Sequence, residues 1–200
     1  MIICGAGGHA KELYHIFGNL LTNVVFFDNV NPLKHLYDVP VINTEQEISS
    51  HILTDNRFII GTGNPLIRFK FHTLMTQLGG VLYSVQHHQS CTGLDNSRHY
   101  EADIFPFSFV GPEVTIGKGT LINTRANIHH NTSIGDFCEI SPGAILLGNV
   151  KVGDQSMIGS GAVVLPGITI GKNAQIGAGA VVTKNIPDQV TAKGIPAIYI

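Results

Sequence analysis

Charge is scarce in this chain: Asp, Glu, Lys and Arg make up 13% of 200 residues and balance to a net −2. Nothing in it resembles the basic footprint that nucleic acid requires. Cysteine is scarce as well. Cys4, Cys91 and Cys138 form no even disulfide framework, which points to a reducing, cytoplasmic setting. No apolar run reaches membrane-spanning length, and no basic segment leads into a secretory apolar stretch at the start. A nucleic-acid binder, a disulfide-stapled scaffold and a membrane-spanning protein are therefore not expected.

What the chain does have is 23 glycines and a period of six. Every sixth residue from Ile104 to Val182 is aliphatic, fourteen positions without a miss. A mostly small series follows four residues behind each, from Ser108 and Val114 to Ala174 and Ala180. A helix repeats near 3.6 and a strand near 2, so neither alone fits. A short strand plus a tight corner does fit, with the aliphatic residue inward and the small one at the bend. Three such units close a triangular coil of eighteen residues, and coils stack at ~4.8 Å, the spacing of paired strands. The pattern implies a parallel β-helix over residues 104–183 and leaves its hand open. Residues eighteen apart should stack, placing His130 under Gly148, Asn123 under Ser141 and Ser160 under Ala178. Pro187 breaks the ladder, and residues 184–200 are expected to fold back as a cap over the open edge.

Residues 1–84 read as a separate α/β, Rossmann-like domain, followed by a linker and irregular first turn over residues 85–103. Strands are expected at Ile2–Cys4, Val24–Phe27, Phe58–Ile60 and Val81–Ser84. Helices are expected at His9–Gly18, Thr44–Ile52 and Pro65–Leu78, the last with Pro at its first turn. Such alternation gives a parallel sheet whose ligands bind beyond the carboxyl ends of the strands. Three polar strand ends meet there. Gly7, Gly8 and His9 open the first helix, where bare N–H groups suit a phosphate. Asp28 and Asn29 end the second strand, where a base or ribose can be read. Gly63 and Asn64 end a third.

The chain resembles a known group. Gly5-Ala6-Gly7-Gly8-His9-Ala10-Lys11, the hexad run, Asn123-Thr124 before His130, Ile134-Gly135-Asp136-Phe137 and Gly194-Ile195-Pro196-Ala197 are similar to motifs of the nucleotide-sugar acetyltransferases of the left-handed β-helix class. The resemblance implies a left-handed coil, acetyl-CoA as co-substrate, and a homotrimer with sites between subunits. It also implies a nucleotide-linked amino sugar, such as a 4-amino-4,6-dideoxy sugar, held by the N-terminal domain. His130 matches the family's general base, and Asn123 matches a motif Asn that could hold sugar or water. Gly148 matches an oxyanion donor. Ser160 and Ala178 match the pantetheine column, with Gly194 and Pro196 nearby. Lys184 and Lys193 are candidates for the CoA phosphates.

The residues support that chemistry independently. An imidazole titrates near ~6.5 and can accept an amine proton at neutral pH. A backbone N–H one coil above can face the developing oxyanion. One departure stands out. Relatives often follow the His with a carboxylate, whereas here Asn131 follows; it can orient a ring but cannot offset its charge. Either Glu139 supplies the carboxylate from another edge or subunit, or the base is weak because an amino-sugar nitrogen needs little activation. His129 suits a corner or interface. Three alternatives stand beside this reading: a zinc enzyme of the γ-carbonic anhydrase type, a nucleotide-sugar sensor without activity, and an O-acetyltransferase acting on a hydroxyl as in sialic acid. The first lacks ligands, since no His follows His130. The last needs a stronger base than Asn131 favours.

Overall fold

The computed structural model describes residues 1–31, 33–92 and 101–199. It divides into two compact units, Met1–Gly63 with Ile67–Tyr83, and Asn64–Leu66 with Ser84–Ile200.

The first unit is built from β1 (Ile2–Cys4), α1 (Gly8–Phe17), β2 (Val25–Phe27), β3 (His35–Leu36), β4 (Val39–Ile42), α2 (Glu45–Ile52), β5 (Arg57–Ile60), α3 (Pro65–Gln77) and β6 (Val81–Leu82). The strands lie in the order β3-β4-β2-β1-β5-β6. Every pairing is parallel except β3 with β4. A parallel sheet covered on both faces needs strands that are apolar throughout. Accordingly Ile2, Ile3, Cys4, Phe26, Phe58, Ile59 and Ile60 are all fully buried. Ala10, Leu13 and Phe17 form the buried stripe of α1 at helical spacing. Thr44 caps α2 rather than joining it: its hydroxyl accepts from the Glu47 N–H, and Glu47 accepts from the Thr44 N–H. The β3–β4 hairpin was not expected. Its strands are short, Pro40 sits inside β4, and Tyr37 turns the chain at φ 54°.

The second unit is the parallel β-helix. Fourteen two-residue rungs run from Asp103–Ile104 to Val181–Val182 and fall on three faces. The first face carries Leu121–Ile122 and Glu139–Ile140, the second Asn127–Ile128 and Ile145–Leu146, the third Ser133–Ile134 and Lys151–Val152. Each rung up to Val163–Val164 pairs with the one eighteen residues later, and at the top Gln175–Ile176 and Ile170 pair sixteen residues on. Ile128, Leu146 and Val164 stack in one fully buried column, as the period requires.

The corners have a rule of their own. Every sixth residue from Phe107 to Gly179 takes a left-handed conformation, with φ between 53° and 73°. Glycine fills some of these places; Glu113, Arg125 and Asn131 fill others at a backbone cost of roughly 1–2 kcal/mol each. Buried hydroxyls at the bends are satisfied by carbonyls: Thr120 Oγ1 donates to Gly135 O at 2.8 Å and Ser156 Oγ to Gly171 O at 2.7 Å. Cys138 occupies the same series, and burial pushes its thiol up to about 12, so it packs as an inert side chain.

The described part of the expected linker is not loose chain. Gln86 and Cys91 bridge to Ile104 and Phe109, so residues 85–92 lie along the lower edge of the β-helix; residues 93–100 lie outside the described residues. At the other end, Thr191–Lys193 pairs with Gln175–Ile176 and Ile198–Tyr199 turns back antiparallel on it, which closes the first face.

Candidate active site

His130 and Asn131 form the bend between Asn127–Ile128 and Ser133–Ile134, the corner where the second face meets the third. Both are exposed. The stacking rule puts Gly148 one coil above, and the contact is closer than stacking alone. A Cβ at position 148 would lie 2.5 Å from Cε1 and from Nε2 of His130. The imidazole edge bearing Nε2 therefore rests on bare backbone. Asn149 N–H donates to His130 O at 3.0 Å, while the Gly148 N–H donates to none of the described residues. A proton acceptor and an uncommitted N–H thus stand side by side, as transfer through a tetrahedral oxyanion requires.

On the other side of the ring, His130 Nδ1 and Asn131 Oδ1 are 2.8 Å apart, and Asn131 Nδ2 donates to Glu113 Oε2. Glu113 is the carboxylate of this corner, and sequence reasoning missed it. It lies eighteen residues before Asn131, hence directly beneath it, and shares its left-handed backbone. Glu139 is placed away from this corner. Its rung, Glu139–Ile140, belongs to the first face, opposite the His130 corner, so within one chain it does not reach the imidazole. His129 packs its ring 5.7 Å from that of Phe109.

The remaining β-helix candidates sit elsewhere. Asn123 occupies the bend between the first and second faces, 6% exposed, with its Oδ1 accepting from Thr124 N at 2.8 Å. Ser160 and Ala178 stack on that same corner, joined through Gly179 N to Ser160 O at 2.9 Å, and both are exposed. Gly161 and Gly179 flank them with open space where a Cβ would be. Lower on this corner is a cavity of about 430 Å³ lined by Pro106, Phe107, Thr124, Arg125, Pro142 and Gly143. Gly194 and Pro196 continue the top of the second face, where Val181 N donates to Gly194 O at 3.0 Å. Lys184 and Lys193 are exposed. His130 with Gly148, and Asn123 with Ser160 and Ala178, thus flank the second face on opposite edges.

In the first unit, Gly7 and Gly8 are exposed, and a Cβ on either would meet nothing within 4 Å. Neither has a positive φ. The turn does not demand these glycines, so what they provide is bare backbone at the start of α1, which has no side-chain cap. His9 behind them is pushed down to about 4, chiefly by burial and further by the charge of Arg68, so it is neutral at pH 7. Arg68 is itself fully buried and donates to Thr62 O at 2.7 Å and Ile60 O at 3.2 Å, holding the loop that leads to Gly63.

Asp28 has a structural role. Its carboxylate accepts from Val30 N and Asn31 N at 2.9 Å each and from Ala6 N at 3.3 Å. Burial opposes its ionisation, but the bonds from Asn31, Val30 and Ala6 outweigh it and hold the carboxyl below its usual value. It ties the Gly5–Gly8 loop to the end of β2 and leaves Asn29 exposed beside it. Asn64 is exposed at the start of α3. Among the described residues, no group of three His, Cys, Asp or Glu could hold a metal, and no helix is long and apolar enough to cross a membrane.

Comparison with known proteins agrees with this division. The model of the PglD N-terminal domain matches residues 1–74, and that of the bacterial transferase hexapeptide (six repeats) matches residues 104–148 and 149–184. The acetyltransferase domain of PglB from Neisseria gonorrhoeae FA1090, in complex with acetyl coenzyme A, is 29% identical. It aligns over 100% of this chain and 98% of that one, with a TM-score of 0.85. A histidine-to-asparagine mutant of perosamine N-acetyltransferase from Caulobacter crescentus, in complex with CoA and GDP-perosamine, is 28% identical over 100% and 95%, with a TM-score of 0.84. WeeI from Acinetobacter baumannii AYE, 24% identical over 100% and 98% with a TM-score of 0.76, shares the fold. The chain belongs to the left-handed β-helix acyltransferases of the bacterial transferase hexapeptide family, in the group that opens with a PglD N-terminal domain.

Proposed function

We propose that this protein transfers the acetyl group of acetyl-CoA to the amino group of a nucleotide-linked amino-deoxy sugar. The observation that carries the reading is the approach of His130 Nε2 to Gly148. Nε2 takes the proton as the sugar amine attacks the thioester carbonyl. The Gly148 N–H receives the oxygen as it becomes negative. The tetrahedral centre then collapses, the C–S bond breaks, and the CoA thiolate leaves with a proton.

The acetyltransferase domain of PglB and the perosamine N-acetyltransferase mutant, both of which match this chain over its whole length, are in complex with acetyl-CoA and with CoA plus GDP-perosamine. By this reading Ser160, Ala178, Gly194 and Pro196 line the CoA arm, and Asn123 holds sugar or water. Gly7, Gly8 and His9 receive the pyrophosphate, with Asn29, Gly63 and Asn64 toward the nucleoside. Asn123, Ser160 and Ala178 stand on the opposite edge of the second face from His130. A site that uses both edges is completed by a neighbouring copy, which supports a homotrimer with sites between subunits. Both substrates are cytoplasmic metabolites, so the reaction belongs in the cytoplasm, in the supply of sugars for surface glycans.

The test is direct. Purified protein is mixed with acetyl-CoA and UDP-, dTDP- or GDP-linked 4-amino-4,6-dideoxy sugars, and thiol release and product mass are followed. One of these sugars should gain a single acetyl group as a base-stable amide. A base-labile ester would mean O-acetylation, and no transfer to any amino sugar would end the reading.

A further inference from the structure

Asn131 joins His130 to Glu113, and the chemistry of the three groups leaves one arrangement of protons. An ionised carboxylate only accepts, so the Asn131 amide must turn its NH₂ toward Glu113 Oε2. Its Oδ1 then faces His130 Nδ1 at 2.8 Å, and an amide oxygen also only accepts. A neutral imidazole here carries its proton on Nδ1 and leaves Nε2 bare on the Gly148 side. Nothing in an asparagine alone distinguishes its two ends. With the amide reversed, its NH₂ would face Nδ1, and the proton would move to Nε2, where it blocks the base.

We propose that Glu113 is a positioning residue for His130. Through the Asn131 amide it fixes the Nδ1–H tautomer and offsets the positive charge that forms when Nε2 takes a proton. The inference rests on the general-base reading of His130 given above. In the step itself one proton passes from the amine to Nε2 and later to the leaving thiolate or solvent. The Nδ1 proton stays in place, and Asn131 and Glu113 exchange none. The backbone explains why the carboxylate comes from so far away in sequence. Glu113 and Asn131 are corner residues of successive coils, each at φ 58°, and Asn131 N donates to Pro112 O at 3.1 Å, so their side chains leave the corner together.

Nitrogen-15 NMR of histidine-labelled protein reads the tautomer without any substrate, with the His130→Asn spectrum giving the assignment. Wild type should show Nδ1–H, and Glu113→Ala a mixture or Nε2–H, with Glu113→Gln in between. In kinetics, Glu113→Ala should lower kcat by about 10–100-fold with little change in KM, the loss typical of removing a partner that orients a histidine. In an Asn131→Ala background the same substitution should change kcat less than about twofold, since coupling runs through the amide. Glu113 is exposed, and an unchanged melting temperature confirms intact fold. An Nε2–H tautomer in wild type, or a Glu113→Ala loss as large without Asn131 as with it, overturns the inference. A protein that acetylates no sugar but loses Nδ1–H in Glu113→Ala overturns the acetyltransferase reading and keeps this one.

Discussion

Gly148 lies so close over the imidazole of His130 that a methyl group in its place would stand 2.5 Å from Nε2. Its φ is not in the left-handed region, so the bend does not require glycine. The contact does. Gly148→Ala should push the ring aside and lower kcat by about 10²-fold, the order expected when a reacting group is misplaced by an ångström. The Ile128–Leu146–Val164 column is untouched by the change, so circular dichroism and melting should stay near wild type. Full activity in this variant would mean that the ring has no fixed place.

Gly8 makes the opposite case, a glycine with room around it. Gly8→Leu adds a side chain where nothing lies within 4 Å, so the fold should tolerate it. A ligand approaching the bare N–H groups of α1 would not. KM for the nucleotide sugar should rise at least about tenfold while KM for acetyl-CoA changes little, measured by varying each substrate in turn. Equal effects on both would remove the pyrophosphate from this loop.

Much of this molecule can be read along the chain because its period is short and strict. Fourteen aliphatic hexad positions define the ladder, and the eighteen-residue sum brings His130 to Gly148 before any coordinates exist. The same sum brings Asn131 to Glu113. It is missed when a carboxylate is looked for beside the histidine or on another edge, as with Glu139, rather than one coil beneath. The left-handed corner series is also hidden, since Phe107, Glu113, Arg125 and Phe137 are not residues that favour positive φ; tertiary stacking imposes it on them. In the first unit, apolar β1, β2 and β5 are legible, while Thr44, read as the first residue of a helix, caps it instead. The β3–β4 hairpin is not, because two-residue strands around Tyr37 and Pro40 carry too little pattern. Asp28 looks like a ligand at a strand end, and only its donors, Ala6, Val30 and Asn31, show that it also locks two loops together.

That lock has a pH signature. The Asp28 carboxyl lies below its usual value when folded, so its stabilisation is fully present above the unfolded value and is lost as pH falls through the folded one. Asp28→Asn should destabilise the first unit by about 1–3 kcal/mol at neutral pH, the scale for hydrogen bonds to a charged group. The gap between wild type and variant in denaturant melts should close as pH drops below the ordinary carboxylate range. A gap that is constant with pH would mean that charge contributes nothing there.

The central claim is that His130 is the base. The most direct measurement is kcat of His130→Ala beside His129→Ala, each with oligomeric state checked, using the acetyl-CoA and amino-sugar pair found in the screen. Removal of a general base typically costs ~10²–10⁴-fold. His130→Ala should lose kcat in that range while remaining folded, and His129→Ala, whose ring only packs on Phe109, should lose far less. A His130→Ala enzyme with near-wild-type kcat at neutral pH would contradict the account.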